Sequence, residues 1–132
     1  MKKNTHIASA IIFSLIGTIF IDIILEGNIP NNISYFLNIF FNMPLYVFLI
    51  MIGSSIAGGI IPDILDPPFT KGHRRYAHSK ALLLLFIIFL FITIILIYLR
   101  KQNLVLWIIY YFLIGYISHL FLDSFTPAGL WD

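Results

Sequence analysis

The sequence predicts an all-α protein, an integral membrane bundle of about four transmembrane helices. Of its 132 residues, 60% are hydrophobic and only 11% are charged, whereas a soluble domain carries about 25% charged residues. The apolar residues also stand in unbroken runs, each close to the ~20 residues that a helix needs to cross the hydrocarbon layer. Because the bilayer core holds no water, such runs must be helical to pair their backbone groups.

Four apolar runs follow one another along the chain. The first carries one charged residue, Asp22, and the other three carry none. Lys2 and Lys3 before the first run are also typical of a cleaved signal peptide, but this run is long for a signal, and no small-x-small cleavage site follows near Glu26. We therefore expect a retained first helix and one domain over residues 1–132. The runs are 7–25, 45–61, 81–99 and 104–122.

The segment 33–41, between the first two runs, has two interpretations. Ser34, Asn38 and Asn42 recur at every fourth position among aliphatic and aromatic neighbours, and such a narrow polar stripe is typical of a helix that lies in the membrane interface. Alternatively, the segment simply begins the second span. The sequence favours neither interpretation over the other.

Glycine and proline mark the end of the second span. Gly58 and Gly59 are small enough to let neighbouring helices approach closely. Pro62, Pro67 and Pro68 are predicted to end the helix and to open a polar loop that runs to about Ser79. The third span is almost entirely Leu, Ile and Phe, so we expect much of its surface to face lipid.

The basic residues predict the orientation. Six of them lie before the first span or in the loop between the second and third spans, and Arg100 and Lys101 lie between the third and fourth. Because cytoplasmic segments carry the excess of Lys and Arg, this predicts a multi-pass membrane protein with both termini in the cytoplasm. The net charge of +2 reflects this topology, and no nucleic-acid partner is expected. The six residues are Lys2, Lys3, Lys71, Arg74, Arg75 and Lys80.

On this topology, all four histidines lie at the cytoplasmic level. His6 begins the first span and His78 the third. His119 and Asp123 end the fourth span and are four residues apart, so they share one helix face and can bind one ion together. Ionisable groups next to hydrocarbon are costly unless they are paired or coordinated. These positions therefore indicate a metal site at one face of the membrane.

The loop between the second and third spans adds further polar residues at the same level. Asp63 and Asp66 follow Pro62, where the backbone can turn them toward a common centre, and His73 and Arg74 follow within the loop. The chain has no cysteine, so any metal must be held by nitrogen and oxygen.

Each of these residues also has an ordinary explanation. A histidine at a helix end is more often an interfacial polar residue than a ligand, and Asp66 before two prolines can form a turn. Arg74 and Arg75 can serve only to orient the chain in the membrane. These explanations work residue by residue, but they account poorly for so many residues at one level.

The motifs resemble those of the YdjM-like family, small inner-membrane proteins described as membrane-bound metal-dependent hydrolases. The resemblance covers nearly the whole chain. Many members have a second acid two residues after the first, whereas here Asp66 comes three residues after Asp63. The motifs are an early His6, then GIIPD at 59–63, HRRYAHS at 73–79, GYISHL at 115–120 followed by Asp123, and TPAG at 126–129.

This resemblance implies a metal-dependent hydrolase that acts through a metal-activated water. Imidazole and carboxylate ligands without sulfur suit Zn best, with Mn or Fe as alternatives, and the number of ligands allows one or two ions, with Asp63 as a candidate bridge. The expected ligands are His6, Asp63, Asp66, His78, His119 and Asp123.

Four more residues receive roles from the same resemblance. His73 is expected to orient the water or to protonate the leaving group, and Arg74 to hold a phosphate oxygen. Ser79 and Thr126 are expected to orient the ligand side chains without contacting the metal themselves.

The expected substrate class follows from a more distant resemblance of the ligand pattern and from the level of the site in the membrane. The ligand pattern is similar to that of the zinc-dependent phospholipase C and P1 nuclease group, which implies phosphoester hydrolysis. A site at headgroup level favours a phospholipid or lipid-linked phosphoester as substrate, with membrane lipid as a partner; no particular oligomer is predicted. The alternative is a metal-binding membrane protein without catalysis, either a structural subunit or a small divalent-cation carrier. A carrier needs ligands near mid-span, where this sequence has almost none.

Overall fold

The fold is a bundle of α-helices. The computed structural model describes residues 3–27, 33–67, 76–100, 103–126 and 130. Four of the helices, α1, α3, α4 and α5, are long and apolar enough to cross a membrane. The prediction of an all-α bundle with four spans is therefore confirmed. The helices in this part of the chain are α1 (Lys3–Glu26), α2 (Ile33–Phe41), α3 (Leu45–Leu65), α4 (Lys80–Leu99) and α5 (Leu104–Ser124).

The segment 33–41 forms a helix of its own, so the interpretation that it begins the second span is wrong. Pro44 stands at the N-cap of α3 with extended backbone angles. A proline disfavours helical angles in the residue before it and has no N–H to continue a helix. The chain therefore breaks at residues 42–44, and α3 starts afresh at Leu45. The location of α2 in the membrane interface stays a prediction.

The second span is longer than predicted because α3 runs through Pro62 to Leu65. Of the three prolines predicted to end the helix, Pro62 lies inside it, and the helix ends before Pro67. Proline removes one amide donor, but the amides after it continue the helical pattern, and the backbone N–H of Asp66 donates to the Pro62 carbonyl at 3.0 Å. As a result, Asp63 lies in the last turn of α3 rather than in a loop, and Asp66 is its C-cap.

Helix α5 is the central helix of the bundle and packs against α1, α3 and α4. Half of its span is buried, against 11% of the span in α4. Ile21, Met51, Tyr111 and Ile114 belong to the hydrophobic core where these helices meet. The exposed Leu, Ile and Phe side chains of α4 confirm that the third span presents most of its surface outward.

Two glycines bring the backbones of α3 and α5 into contact. A Cβ atom on Gly58 would collide with the carbonyl oxygen of Phe112, and a Cβ atom on Gly115 would collide with the carbonyl oxygen of Ser55. Close approach of this kind is a principal source of helix association in lipid, where apolar side chains gain little by leaving the bilayer. It also places the end of α3 directly beside the end of α5.

A hydroxyl pair ties α1 to α5 in the middle of the bundle. The Thr18 hydroxyl lies 2.8 Å from the Ser14 carbonyl oxygen and 3.1 Å from the Tyr111 hydroxyl. Thr18 and Tyr111 are thus joined by a hydrogen bond in which either hydroxyl can be the donor. This bond helps to set how α1 is rotated against α5, and hence where His6 points.

Candidate metal centre

Five ionisable side chains converge at one end of the bundle. His6 comes from the first turns of α1, Asp63 from the last turn of α3, and His119 and Asp123 from the end of α5; His78 comes from the turn before α4. Three of these side chains are fully buried: His78, His119 and Asp123. His6 is almost fully buried. Asp63 keeps one third of its side chain exposed. The predicted convergence of histidines and acids is thus present.

The orientation of His119 is set by the backbone of α3. Its Nδ1 lies 2.7 Å from the carbonyl oxygen of Gly59. A carbonyl only accepts, so Nδ1 carries the proton and Nε2 keeps its lone pair. Metal-binding histidines are commonly held this way, with one nitrogen bonded to a carbonyl and the other directed at the ion.

Three donor atoms are spaced like the corners of a coordination shell. The Nε2 atoms of His78 and His119 are 3.1 Å apart. Oδ2 of Asp123 lies 3.4 Å from the first and 3.5 Å from the second. Ligands bound at ~2.0–2.1 Å around a tetrahedral zinc ion are separated by about 3.3 Å. The spacing of these three atoms therefore fits one such ion.

Asp63 and His6 extend the cluster. Oδ1 of Asp63 lies 3.6 Å from Nε2 of both His78 and His119. The His6 ring stacks on the His119 ring with centroids 3.8 Å apart, and its Nε2 lies 3.6 Å from Oδ1 of Asp123.

Two groups of these residues have ligand atoms within 4.8 Å of one another: His6 with Asp63 and His119, and His78 with His119 and Asp123. Either group can hold a metal ion. Because His119 offers only Nε2, it can complete one of the two groups at a time.

Comparison with known proteins identifies the family. The model of the YdjM inner membrane protein family matches residues 1–131. The chain belongs to this family. No match was found among curated proteins or among solved structures. Family membership and the four apolar helices together make this chain a multi-pass protein of the inner membrane, and the family description names no reaction.

In this YdjM family member, His78 precedes α4 instead of lying in its first turn as predicted. Ser79 is the N-cap, and its hydroxyl accepts a hydrogen bond from the Leu82 amide at 3.1 Å. The neighbouring Ala77 is held on both sides, since its N–H donates to Asp66 at 2.7 Å and its carbonyl accepts from the Tyr116 hydroxyl at 3.1 Å. The turn that carries His78 is thereby attached to α3 and α5.

Asp66 lies on the other side of the His78 ring from the cluster. Its Oδ2 is 3.7 Å from His78 Nδ1, whereas Nε2 of that ring faces His119. Asp66 belongs to neither of the two groups with metal-binding spacing, and its role as a ligand stays a prediction. A carboxylate behind a histidine is well placed to orient the ring.

Ser79 and Thr126 bond to backbone next to site residues. Ser79 caps the helix that follows His78, and the Thr126 hydroxyl donates to the carbonyl oxygen of Asp123 at 2.8 Å. Their predicted supporting roles stay predictions, as do the catalytic roles of His73 and Arg74, which lie outside the described residues.

Two contributors were missed in the sequence. The Gly59 carbonyl orients His119, and Tyr116 holds the His78 turn. The first had a partial signal, because Gly58 and Gly59 have no side chains to cover the backbone from a neighbouring helix. No feature of the sequence indicated the role of Tyr116, because a tyrosine in an apolar run is also expected as an ordinary core residue.

Proposed function

We propose that this YdjM family member is a membrane-embedded metal-dependent hydrolase. The observation that carries the proposal is the spacing of His78 Nε2, His119 Nε2 and Asp123 Oδ2, which are 3.1–3.5 Å apart. Asp123 is a fully buried carboxylate, and burial of a carboxylate is costly unless a positive charge or hydrogen bonds offset it. A bound cation removes this cost, so the donor set fits a metal.

The donor set favours zinc. Imidazole nitrogen and carboxylate oxygen without thiolate are common zinc ligands, with manganese or iron as alternatives. When bound, such an ion acts as a Lewis acid and lowers the pKa of water to ~7, which supplies a nucleophile at neutral pH. One or two ions are consistent with five donors.

Asp63 supports catalysis over a purely structural role. Structural zinc sites are closed by four protein ligands, whereas catalytic sites keep a position open. Asp63 is the one member of the cluster with substantial exposure, at 33% of its side chain. Water and substrate can therefore approach the cluster on the Asp63 side, where this carboxylate can accept a proton from water or hold a second cation.

A lipid substrate is supported by an apolar cavity beside the centre. Its volume is about 590 Å³, and its walls include Asp66 at the end of α3 and Ala77 in the turn that carries His78. Leu82 and Leu85 of α4 form its outer side, and α4 is the helix most exposed to the bilayer. An acyl chain can lie there, next to the turn that carries His78. We propose a phosphoester of a lipid or lipid-linked molecule as the substrate, with Arg74 holding the phosphate and His73 protonating the leaving group.

Hydrolysis is tested with detergent-purified protein and vesicles that contain phosphatidic acid or a polyprenyl diphosphate. We expect phosphate release by the metal-loaded protein, loss of release after chelation, and recovery on adding Zn²⁺ or Mn²⁺. Asp63→Asn, which keeps the shape of the side chain, should lower the rate by about 10²-fold or more, as removal of catalytic groups typically does.

The same experiment distinguishes a hydrolase from a metal-binding protein without catalysis. Stoichiometric metal without release from any phosphoester lipid would contradict hydrolysis and favour a non-catalytic metal-binding protein. Metal-dependent release that is equal in wild type and Asp63→Asn would contradict the role of this carboxylate.

We also propose that the metal centre faces the cytoplasm, with both termini on that side. The support is the distribution of basic residues, six against two across the two faces. The chain has no cysteine, so single-cysteine variants carry one label each. In intact cells, a membrane-impermeant maleimide should label Arg100→Cys, and it should label Lys71→Cys only after the membrane is opened. Labelling of position 71 in intact cells would overturn the orientation.

A further inference from the structure

A second cavity lies at the other end of the bundle from the metal centre. Its volume is about 430 Å³, and α1, α2, α3 and α5 all contribute to its walls. Asp22 lines it, sixteen residues after His6 on the same helix. At a rise of ~1.5 Å per residue this places the cavity about 24 Å from the metal centre, close to the opposite membrane face. The cavity therefore takes no part in the proposed hydrolysis.

The charge of this cavity is negative. Asp22 and Glu26 stand one turn apart on α1 and both line it, and none of the lining residues in the described part of the chain is Lys or Arg. Asp22 accepts a hydrogen bond from the Tyr35 hydroxyl at 2.7 Å. This bond raises the pKa of Tyr35 to about 12, so the phenol stays a donor at neutral pH. Two carboxylates at the edge of the hydrocarbon favour a positively charged partner.

The remaining walls suit an organic cation better than a bare metal ion. Trp107 and Tyr111 line the cavity, with ring centroids 6.0 Å apart and planes inclined by 25°, and aromatic faces attract cations. Ile21, Leu25 and Val47 add apolar surface. A volume of this size is typical of small-molecule sites, whereas Ca²⁺ or Mg²⁺ requires a tight shell of oxygen atoms at about 2–2.6 Å.

Helix α2 supplies hydrogen-bonding groups and a route from the lipid. Asn38 and Asn42, one turn apart, line the cavity and can bond to polar atoms beside the cation. The other side of α2 is exposed and apolar, with Ile33, Leu37 and Phe41 at 74%, 50% and 83% exposure. This pattern agrees with the predicted location of α2 in the membrane interface, where the apolar side would face lipid. The cavity is thus open to amines from water or from a lipid headgroup.

We propose that this cavity binds a primary ammonium group, held by the carboxylates of Asp22 and Glu26 beside the aromatic rings of Trp107 and Tyr111. The shared chemistry belongs to a free small amine and to an ethanolamine-type lipid headgroup. The two sources are distinguished by offering the amine either free in solution or as part of a lipid in a bilayer.

Binding is measured by the fluorescence of Trp107. The chain has two tryptophans, so Trp131→Phe leaves Trp107 as the single reporter. Protein in maltoside detergent is titrated with ethanolamine, and protein in phosphatidylglycerol nanodiscs is compared with nanodiscs that also contain phosphatidylethanolamine. Asp22→Asn and Glu26→Gln are each tested in the same background. Asp63→Asn, which removes a carboxylate at the metal centre, is the matched control.

We expect a saturable fluorescence change that Asp22→Asn and Glu26→Gln weaken at least tenfold and that Asp63→Asn leaves unchanged. Saturation by ethanolamine in detergent identifies a free amine, and a response only to phosphatidylethanolamine identifies the lipid headgroup. A lack of response to either, equal responses in Asp22→Asn and wild type, or displacement of ethanolamine by equimolar Ca²⁺ would overturn the proposal. Metal content, measured on the same samples, should be unaffected by Asp22→Asn, which keeps this test separate from that of the hydrolase.

Discussion

Replacing His119 with Gln is expected to remove almost all bound metal, from about one or two equivalents in wild type to less than about a tenth of one. His119 is common to both groups of residues with metal-binding spacing, so its loss affects every coordination that the cluster offers. Glutamine is close in size to histidine but lacks the nitrogen lone pair that faces His78 and Asp123. Elemental analysis of purified protein, after reconstitution with Zn²⁺ or Mn²⁺, measures the effect.

The matched control is Ser118→Ala. Ser118 is the residue before His119, is equally buried, and uses its hydroxyl to bond the Gly115 carbonyl within the same helix at 2.8 Å. Its removal tests whether any change at this turn of α5 disturbs metal binding. We expect full metal content in Ser118→Ala. Stoichiometric metal in His119→Gln would refute the proposed ligand, and a wild type that binds no metal after reconstitution would refute the centre itself.

Much of the fold could be predicted because lipid imposes a simple condition on sequence. An apolar run of about 20 residues has to be a helix in a bilayer, and the four predicted spans agree with α1, α3, α4 and α5 to within a few residues at each end. The main error concerned the effect of proline on the end of the second span. Pro44 does begin a new helix, but Pro62 lies inside α3, because a single missing amide bond is tolerated within a packed bundle.

The candidate site was predictable in its membrane level but not in its detail. Spacing along the chain places His6, His78 and His119 near one face, since each stands at the end of an apolar run. How far each helix is rotated depends on packing between helices, such as the contact of Thr18 with Tyr111. For that reason the sequence could not show which nitrogen of His78 Asp66 would face; in the structure it lies near Nδ1.

The contact between α3 and α5 decides whether the metal centre forms, since its donors come from both helices. Gly115→Leu is therefore expected to have the largest effect on stability in the molecule. Even the first atom of the new side chain would overlap the Ser55 carbonyl, and overpacking a tight contact costs about 1–3 kcal/mol, or more where backbone must move. We expect a loss of at least about 3 kcal/mol in unfolding free energy, seen as a lower midpoint in thermal unfolding in detergent, together with loss of bound metal.

The chain offers a close control for this substitution at another helical glycine. Gly53 lies in α3, and a Cβ atom there would meet nothing within 4 Å, so Gly53→Leu should unfold at or slightly above the wild-type midpoint because leucine favours a helix by up to about 1 kcal/mol. Gly115→Ala should lie between wild type and Gly115→Leu, since it adds only the colliding atom. Equal midpoints for Gly115→Leu and Gly53→Leu would show that the two helices do not touch at Gly115. Loss of metal in Gly115→Ala with an unchanged midpoint would instead show that metal binding depends on this contact more strongly than the stability of the fold does.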